Sequence, residues 1–202
     1  MADVFNPLDK LNLGKSVAEA LLESPEHPLE DVESFPGAGI YAIYYRGAFK
    51  HYKPLSRLNQ PVGVHPLYVG KAVPKGGRKG VSADASLDST SLSKRLLEHK
   101  SSIEAASNLS INHFSYRSLV VDDIWIALGE ALLIQQFKPL WNQVVDGFGN
   151  HDPGGGRYLG MRPLWDEIHP GRTWALKCKP PRQEARAILA AIDAYMRGVA
   201  GA

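Results

Sequence analysis

Six side chains spread over about half the chain bear groups that could together hydrolyse a phosphodiester: Tyr41, Tyr68, Arg95, His99, Glu130 and Asn142. Tyr41 closes Gly39-Ile40-Tyr41, and Tyr68 opens Tyr68-Val69-Gly70, with Lys71 next. A phenol titrates near ~10 and serves as a base only where cations favour the phenolate, a field that Lys71 and a metal could supply. A guanidinium matches phosphate as a planar fork, and an imidazole moves protons near neutral pH. A carboxylate among apolar neighbours is costly unless paired or bound to a metal. Glu130 is such a group, since only Gln135 and Gln136 share polarity with it over residues 124–137.

Each residue alone also has a plainer explanation. Glu130 could mark the solvent face of its helix, as exposed glutamates usually do. Arg95 and His99, four apart, could belong to a solvated face with Lys94, Glu98 and Lys100. Tyr41 and Tyr68 could be ordinary half-buried strand tyrosines. Their order along the chain is what sets them apart.

Strands and helices must bring these groups together. Residues 40–45 are β-branched and aromatic and predict a strand, with 67–69 as its hairpin partner. Residues 91–106 predict a helix opened by Ser91, with Leu92, Leu96 and Ile103 on one face. Arg95 and His99 share a face at i and i+4. Phe114, Tyr116 and residues 118–121 suggest a third strand. Asp122 and Asp123 then lead a helix over 124–137 that Pro139 stops, before a loop begins at Trp141-Asn142. Residues 17–22 predict a short N-terminal helix, and 23–36 read as an acidic, proline-bearing linker. Residues 182–197 form an amphipathic helix ended by Gly198. Trp165, Ile168 and Trp174 suggest an aromatic patch. Strand, strand, helix, strand, helix predicts an α+β fold with a small, mainly antiparallel sheet and a helical C-terminal extension.

Composition narrows the class. The chain has 202 residues, 44% of them hydrophobic, enough for one substantial core. Lys+Arg number 23 against 21 Asp+Glu, so any nucleic-acid contact must come from local clustering. Lys71, Lys75, Arg78 and Lys79 form one cluster with no acid between Lys71 and Gly80. Asn150, His151 and Arg157 lie in a second stretch, 147–160, that holds six glycines. Either stretch could grip DNA or be a solvated connector. One cysteine, Cys178, excludes a disulfide framework and a cysteine zinc site within one chain. Residues 1–10 lack the basic and apolar regions of a signal peptide, and no apolar run approaches ~18 residues, so a cytoplasmic protein without a membrane span is expected. Gly14-Lys15-Ser16 echoes a phosphate-binding loop, but Asp9 stands where the earlier glycine is needed. Gly149-Asn150-His151-Asp152 echoes half of a dinuclear metallophosphatase site whose upstream Asp-x-His is missing.

On these residues the chain resembles the GIY-YIG nuclease superfamily. Gly39-Ile40-Tyr41 and Tyr68-Val69-Gly70 match the two name-giving motifs, and Arg95, His99, Glu130 and Asn142 follow in the signature order. The runs Tyr68-Val69-Gly70-Lys71-Ala72-Val73-Pro74, Lys138-Pro139-Leu140-Trp141-Asn142, Val145-Asp146-Gly147-Phe148-Gly149-Asn150-His151 and Ile168-His169-Pro170-Gly171-Arg172 are similar to type II restriction endonucleases that cut CCGCGG. The resemblance divides the chain into a helix and linker (1–36), a nuclease domain (37–178) with 46–65 inserted, and a C-terminal helix (179–202). It implies Mg²⁺, or another hard cation such as Mn²⁺, with Glu130 as sole protein ligand. Tyr41 would act as general base helped by His99. Tyr68 would orient water or phosphate, and Arg95 would bind the scissile phosphate. Asn142 would hold the geometry, and Lys71 would favour a Tyr41 phenolate. It further implies double-stranded DNA as substrate, a homodimer on a palindrome, and a protecting cognate DNA methyltransferase. A GC-only site calls for donors to guanine, for which Arg78, Arg157 and Arg162 are candidates. A GIY-YIG nuclease of repair or mobile elements, or a silent DNA-binding scaffold, are the alternatives.

Overall fold

The computed structural model describes residues 6, 9–74, 87, 89–152, 154 and 158–200. Among these, four strands make one antiparallel sheet in the order β1-β4-β2-β3: β1 (His27–Pro28), β2 (Gly39–Tyr45), β3 (Tyr68–Ala72) and β4 (Phe114–Val120). Helices cover both faces: α1 (Lys10–Glu23), α2 (Lys53–Leu58), α3 (Ser91–Ala105), α4 (Asp123–Phe137), α5 (Leu140–Gln143), α6 (Leu164–Ile168) and α7 (Ala185–Ala200). The fold is α+β, as the element order predicts.

The central strand explains the layering. All seven residues of β2 are buried, so β2 reads as continuous apolar sequence rather than as an alternation. Its odd side chains, Tyr41, Ile43 and Tyr45, join a core with Leu92, Leu96 and Ile103 of α3, Trp141 of α5, and Ile188, Ile192 and Met196 of α7. Its even side chains, Ile40, Ala42 and Tyr44, pack against Ala18 and Leu21 of α1 and Ile126 and Leu133 of α4. Gly129 lets α4 lie close, since a Cβ there would stand 3.0 Å from Val17 and 3.3 Å from Ile40.

Several elements differ from the sequence expectation. The N-terminal helix is 14 residues long rather than covering only 17–22, and Gly14-Lys15-Ser16 lies within it. A Cβ on Gly14 would meet Leu132 at 2.7 Å, so this glycine serves packing against α4. The stretch 23–36, read as linker, supplies β1, too short to leave a periodic pattern. Beside it Glu26 bonds Arg46 and Ser115, lies 3.6 Å from Arg117, and accepts Gly63 N at 2.9 Å. Trp141-Asn142 sits in the single turn of α5 instead of a loop, because Pro139 ends one helix and caps the next. Thr90, not Ser91, precedes α3. The final helix starts at Ala185 and runs through Gly198, whose Cα faces open space. Residues 46–65, expected as an insertion, fold as a 3-10 turn and α2, both packed on α7. No helix among the described residues is long and apolar enough to cross a membrane.

Candidate active site

Strand register brings the two tyrosines together. Tyr41 stands opposite Gly70, which places Tyr68 diagonally across on the same sheet face. Their ring centroids are 6.3 Å apart. A Cβ on Gly70 would fall 2.4 Å from the Tyr41 hydroxyl, so only glycine leaves room for this phenol to cross the strand. The tripeptide Tyr-Val-Gly is thus one packing unit with Tyr41.

α3 delivers Arg95 and His99 to the same face. His99 extends the buried stripe of Leu92, Leu96 and Ile103 and is 1% exposed, so it does not lie on a solvated helix surface. Its ring stacks on Phe148 at 4.5 Å and stands 5.3 Å from Tyr68. Its Nε2 shares a 2.7 Å hydrogen bond with the Tyr41 hydroxyl. Burial, followed by the Arg95 charge, holds this imidazole well below its ordinary pKa, so it is neutral. Burial also raises Tyr41 well above the usual phenol value, with Tyr68 adding to the rise and Arg95 opposing it. Tyr68 is raised by burial against the same Arg95. Tyr41 is therefore a neutral phenol in the free protein. With both groups neutral, the phenol O–H donates to Nε2 when the ring carries its proton on Nδ1.

Arg95 is itself held. It donates to Gly149 O at 2.6 Å and to Glu98 at 3.2 Å, and Glu98 also lies 3.0 Å from His151 Nε2. The loop bearing Gly149 is pinned from behind by Arg172. Its guanidinium donates to the carbonyls of Gly147, Phe148 and Asn150 at 3.0, 3.1 and 2.8 Å. It also pairs with buried Asp166 at 2.5 Å and lies between the faces of Trp165 and Trp174. Sequence reasoning quoted Arg172 within a matching run and gave it no task. An arginine following Pro-Gly, four residues after Ile168 and with no charged neighbour at 168–174, was the available signal.

Glu130 completes the group from the far side of β3. Lys71 alternates away from Tyr41 and shares the face of Ile40, where α4 packs. Its ammonium donates to Glu130 Oε2 at 2.6 Å. Lys71, expected to favour a Tyr41 phenolate, thus pairs with Glu130, and the pleat sends Lys71 and Tyr41 to opposite faces. The Glu130 charge still reaches both phenols and raises them. Asn142 accepts from Val69 N and donates to Val69 O, both at 2.9 Å, and so closes the free edge of β3.

The candidate cation fits this donor set. Among the described residues no three of His, Cys, Asp and Glu gather as ligands. One partly exposed carboxylate suits a hard cation that keeps water or substrate oxygen for most of its shell.

The expected DNA contacts divide. Asn150 and His151 are exposed on the loop next to Arg95 and line a groove with Leu159, Met161 and Trp174. Arg162 uses its guanidinium internally, on Ala175 O at 3.2 Å and Glu167 at 3.1 Å. Lys75, Arg78, Lys79 and Arg157 lie outside the described residues.

Comparison with individual curated proteins gives no match. The family described as the Eco29kI GIY-YIG domain does match, over residues 33–196. That span includes every strand residue of the tyrosine pair, both partners on α3, and Glu130 and Asn142, and it exceeds half of the chain. Motif order, fold and family match coincide on the same residues: the chain belongs to the Eco29kI family of GIY-YIG nucleases, a restriction-endonuclease branch.

Proposed function

We propose that the protein is a type II restriction endonuclease that makes metal-dependent double-strand cuts at a GC-rich palindrome, CCGCGG. The observation that carries this reading is the contact of Tyr41 with neutral His99 beside Tyr68 and Arg95. Water attacks phosphorus as the Tyr41 oxygen takes its proton and the phenol proton passes to Nε2 of His99. The bond from phosphorus to the leaving oxygen breaks, and that oxygen is protonated from solvent. Arg95 binds the scissile phosphate and offsets charge as it develops. Tyr68 orients the attacking water or a phosphate oxygen. Asn142 keeps β3, and with it Tyr68, in place. Glu130 would hold Mg²⁺ or Mn²⁺, which when bound polarises the phosphate and stabilises the leaving oxygen.

A palindrome cut on both strands suits a homodimer, one subunit to each half-site. Light scattering with and without DNA should give a dimer mass, and a monomer in both would remove this part. A cognate cytosine methyltransferase would protect the host. Residues 37–178 act as the nuclease unit and 46–65 as its insertion in this reading. Asn150 and His151 are the groove contacts, Arg157 is a candidate reader of guanine, and Lys75, Arg78 and Lys79 would grip the DNA backbone.

The test is a linear DNA with one CCGCGG site and Mg²⁺, run beside Glu130→Ala and a scrambled site. Two discrete fragments, absent from both controls, are expected. Cutting of both DNAs would discard the target and keep the nuclease. Cutting of neither would leave a DNA-binding scaffold.

A further inference from the structure

Glu130 is the carboxylate that the proposed function assigns to the cation, and in the free protein it is already engaged. Lys71 Nζ donates to its Oε2 at 2.6 Å. An ammonium on that oxygen takes a ligand atom and repels a divalent ion from the same place. Yet the contact is not locked. The Lys71 side chain is 40% exposed, that of Glu130 20%. The stem rises from edge strand β3, and among the described residues no other hydrogen bond holds the ammonium. Exposed pairs of this kind are weak and exchange readily. DNA phosphates offer the ammonium an alternative partner along the same edge, since backbone contact by lysine is independent of sequence.

We propose that Lys71 is a substrate-released latch on the cation site: it closes Glu130 in the free protein and leaves it for phosphate when DNA docks. The inference rests on Glu130 as the cation ligand of the proposed function. The latch makes cation binding and DNA binding mutually favourable, because each removes what opposes the other. Free enzyme then carries little metal, and the cation arrives where a phosphate is present to complete its shell.

Mn²⁺ binding, read by electron paramagnetic resonance, tests this without any cleavage. The protein is compared with Lys71→Met, each beside its Glu130→Gln counterpart, so that only Glu130-dependent binding is counted. Without DNA, Lys71→Met should bind Mn²⁺ about two- to fivefold more tightly than the unmodified protein, the range an exposed ion pair supports. With a short duplex lacking the palindrome, the difference should vanish, because Lys71 has already moved to phosphate. Equal or weaker binding by Lys71→Met without DNA overturns the latch while leaving Glu130 as a ligand. An advantage that persists undiminished on DNA also overturns it, since the lysine would then act only as a fixed charge. No Glu130-dependent binding in any protein overturns the cation role of Glu130 and the latch with it.

Discussion

At the scale of single residues, the hydroxyl of Tyr41 matters more than its ring. The ring fills core space beside Ile43 and Leu92, while the hydroxyl is bonded to His99 at 2.7 Å. Tyr41→Phe keeps the packing and removes the proton carrier. It should lower single-turnover cleavage by ~10²- to 10⁴-fold, the range for general acid–base groups, with an intact fold by circular dichroism. A rate within a few-fold of the original would assign the base elsewhere. The acceptor must be neutral to take a proton. Because burial and Arg95 press His99 well below 6.5, lowering the pH past 6.5 should leave it neutral and the relay open. The acid limb of the cleavage profile is therefore expected below 6.5, and a break at 6.5 or above would contradict a buried acceptor.

At the scale of elements, the exposed edge of β3 is the weak point. An edge strand shows unpaired backbone groups, and here the amide of Asn142 pairs with both groups of Val69 like one rung of a missing strand. Asn142→Ala removes two hydrogen bonds and should cost ~1–3 kcal/mol in denaturant unfolding. Asn142→Asp keeps the shape but sets an oxygen against Val69 O, so it should destabilise at least as much. If Asn142→Asp were as stable as the parent, the amide donor would not hold this edge. Much of this element level was legible in the sequence. β2, β3, α3 and α4 follow from β-branched runs, from Leu92 with Leu96, and from Pro139, because each pattern is local. β1 was not, since two residues acquire strand character only by pairing with Ser115 and Tyr116. The side of β3 on which Lys71 lies was also hidden, because it depends on register with β2. Nor could sequence reveal that Arg172 grips three loop carbonyls, a task set by where Trp165 and Trp174 converge.

At the scale of the whole molecule, one buried chain of hydrogen bonds joins residues 46–65 to the segments behind the site. Trp141 Nε1 donates to the Tyr52 hydroxyl at 2.9 Å, which donates to His169 Nε2 at 2.6 Å. His169 Nδ1 in turn donates to Asn108 Oδ1 at 2.9 Å, and Asn108 donates to Ile168 O at 2.8 Å. Nε2 must accept for this order to hold, so the imidazole must be neutral, and burial lowers its pKa to about 3. The unfolded chain binds this proton near ~6.5. Between 6.5 and about 3 the unfolded state thus holds more protons than the folded one. Stability from His169 is complete above 6.5 and is lost as pH falls, with a slope of at most ~1.4 kcal/mol per pH unit. His99 acts in the same direction, while Asp166, whose carboxyl burial raises, acts against both. His169→Gln keeps a neutral group of similar reach and removes one proton from the balance. Urea unfolding near neutrality and near pH ~5 should show a shallower decline for this variant than for the parent. An identical decline would mean that His169 protonates in the folded state as readily as in the unfolded chain. The Tyr52–His169 bond would then not be what ties residues 46–65 to the body of the fold.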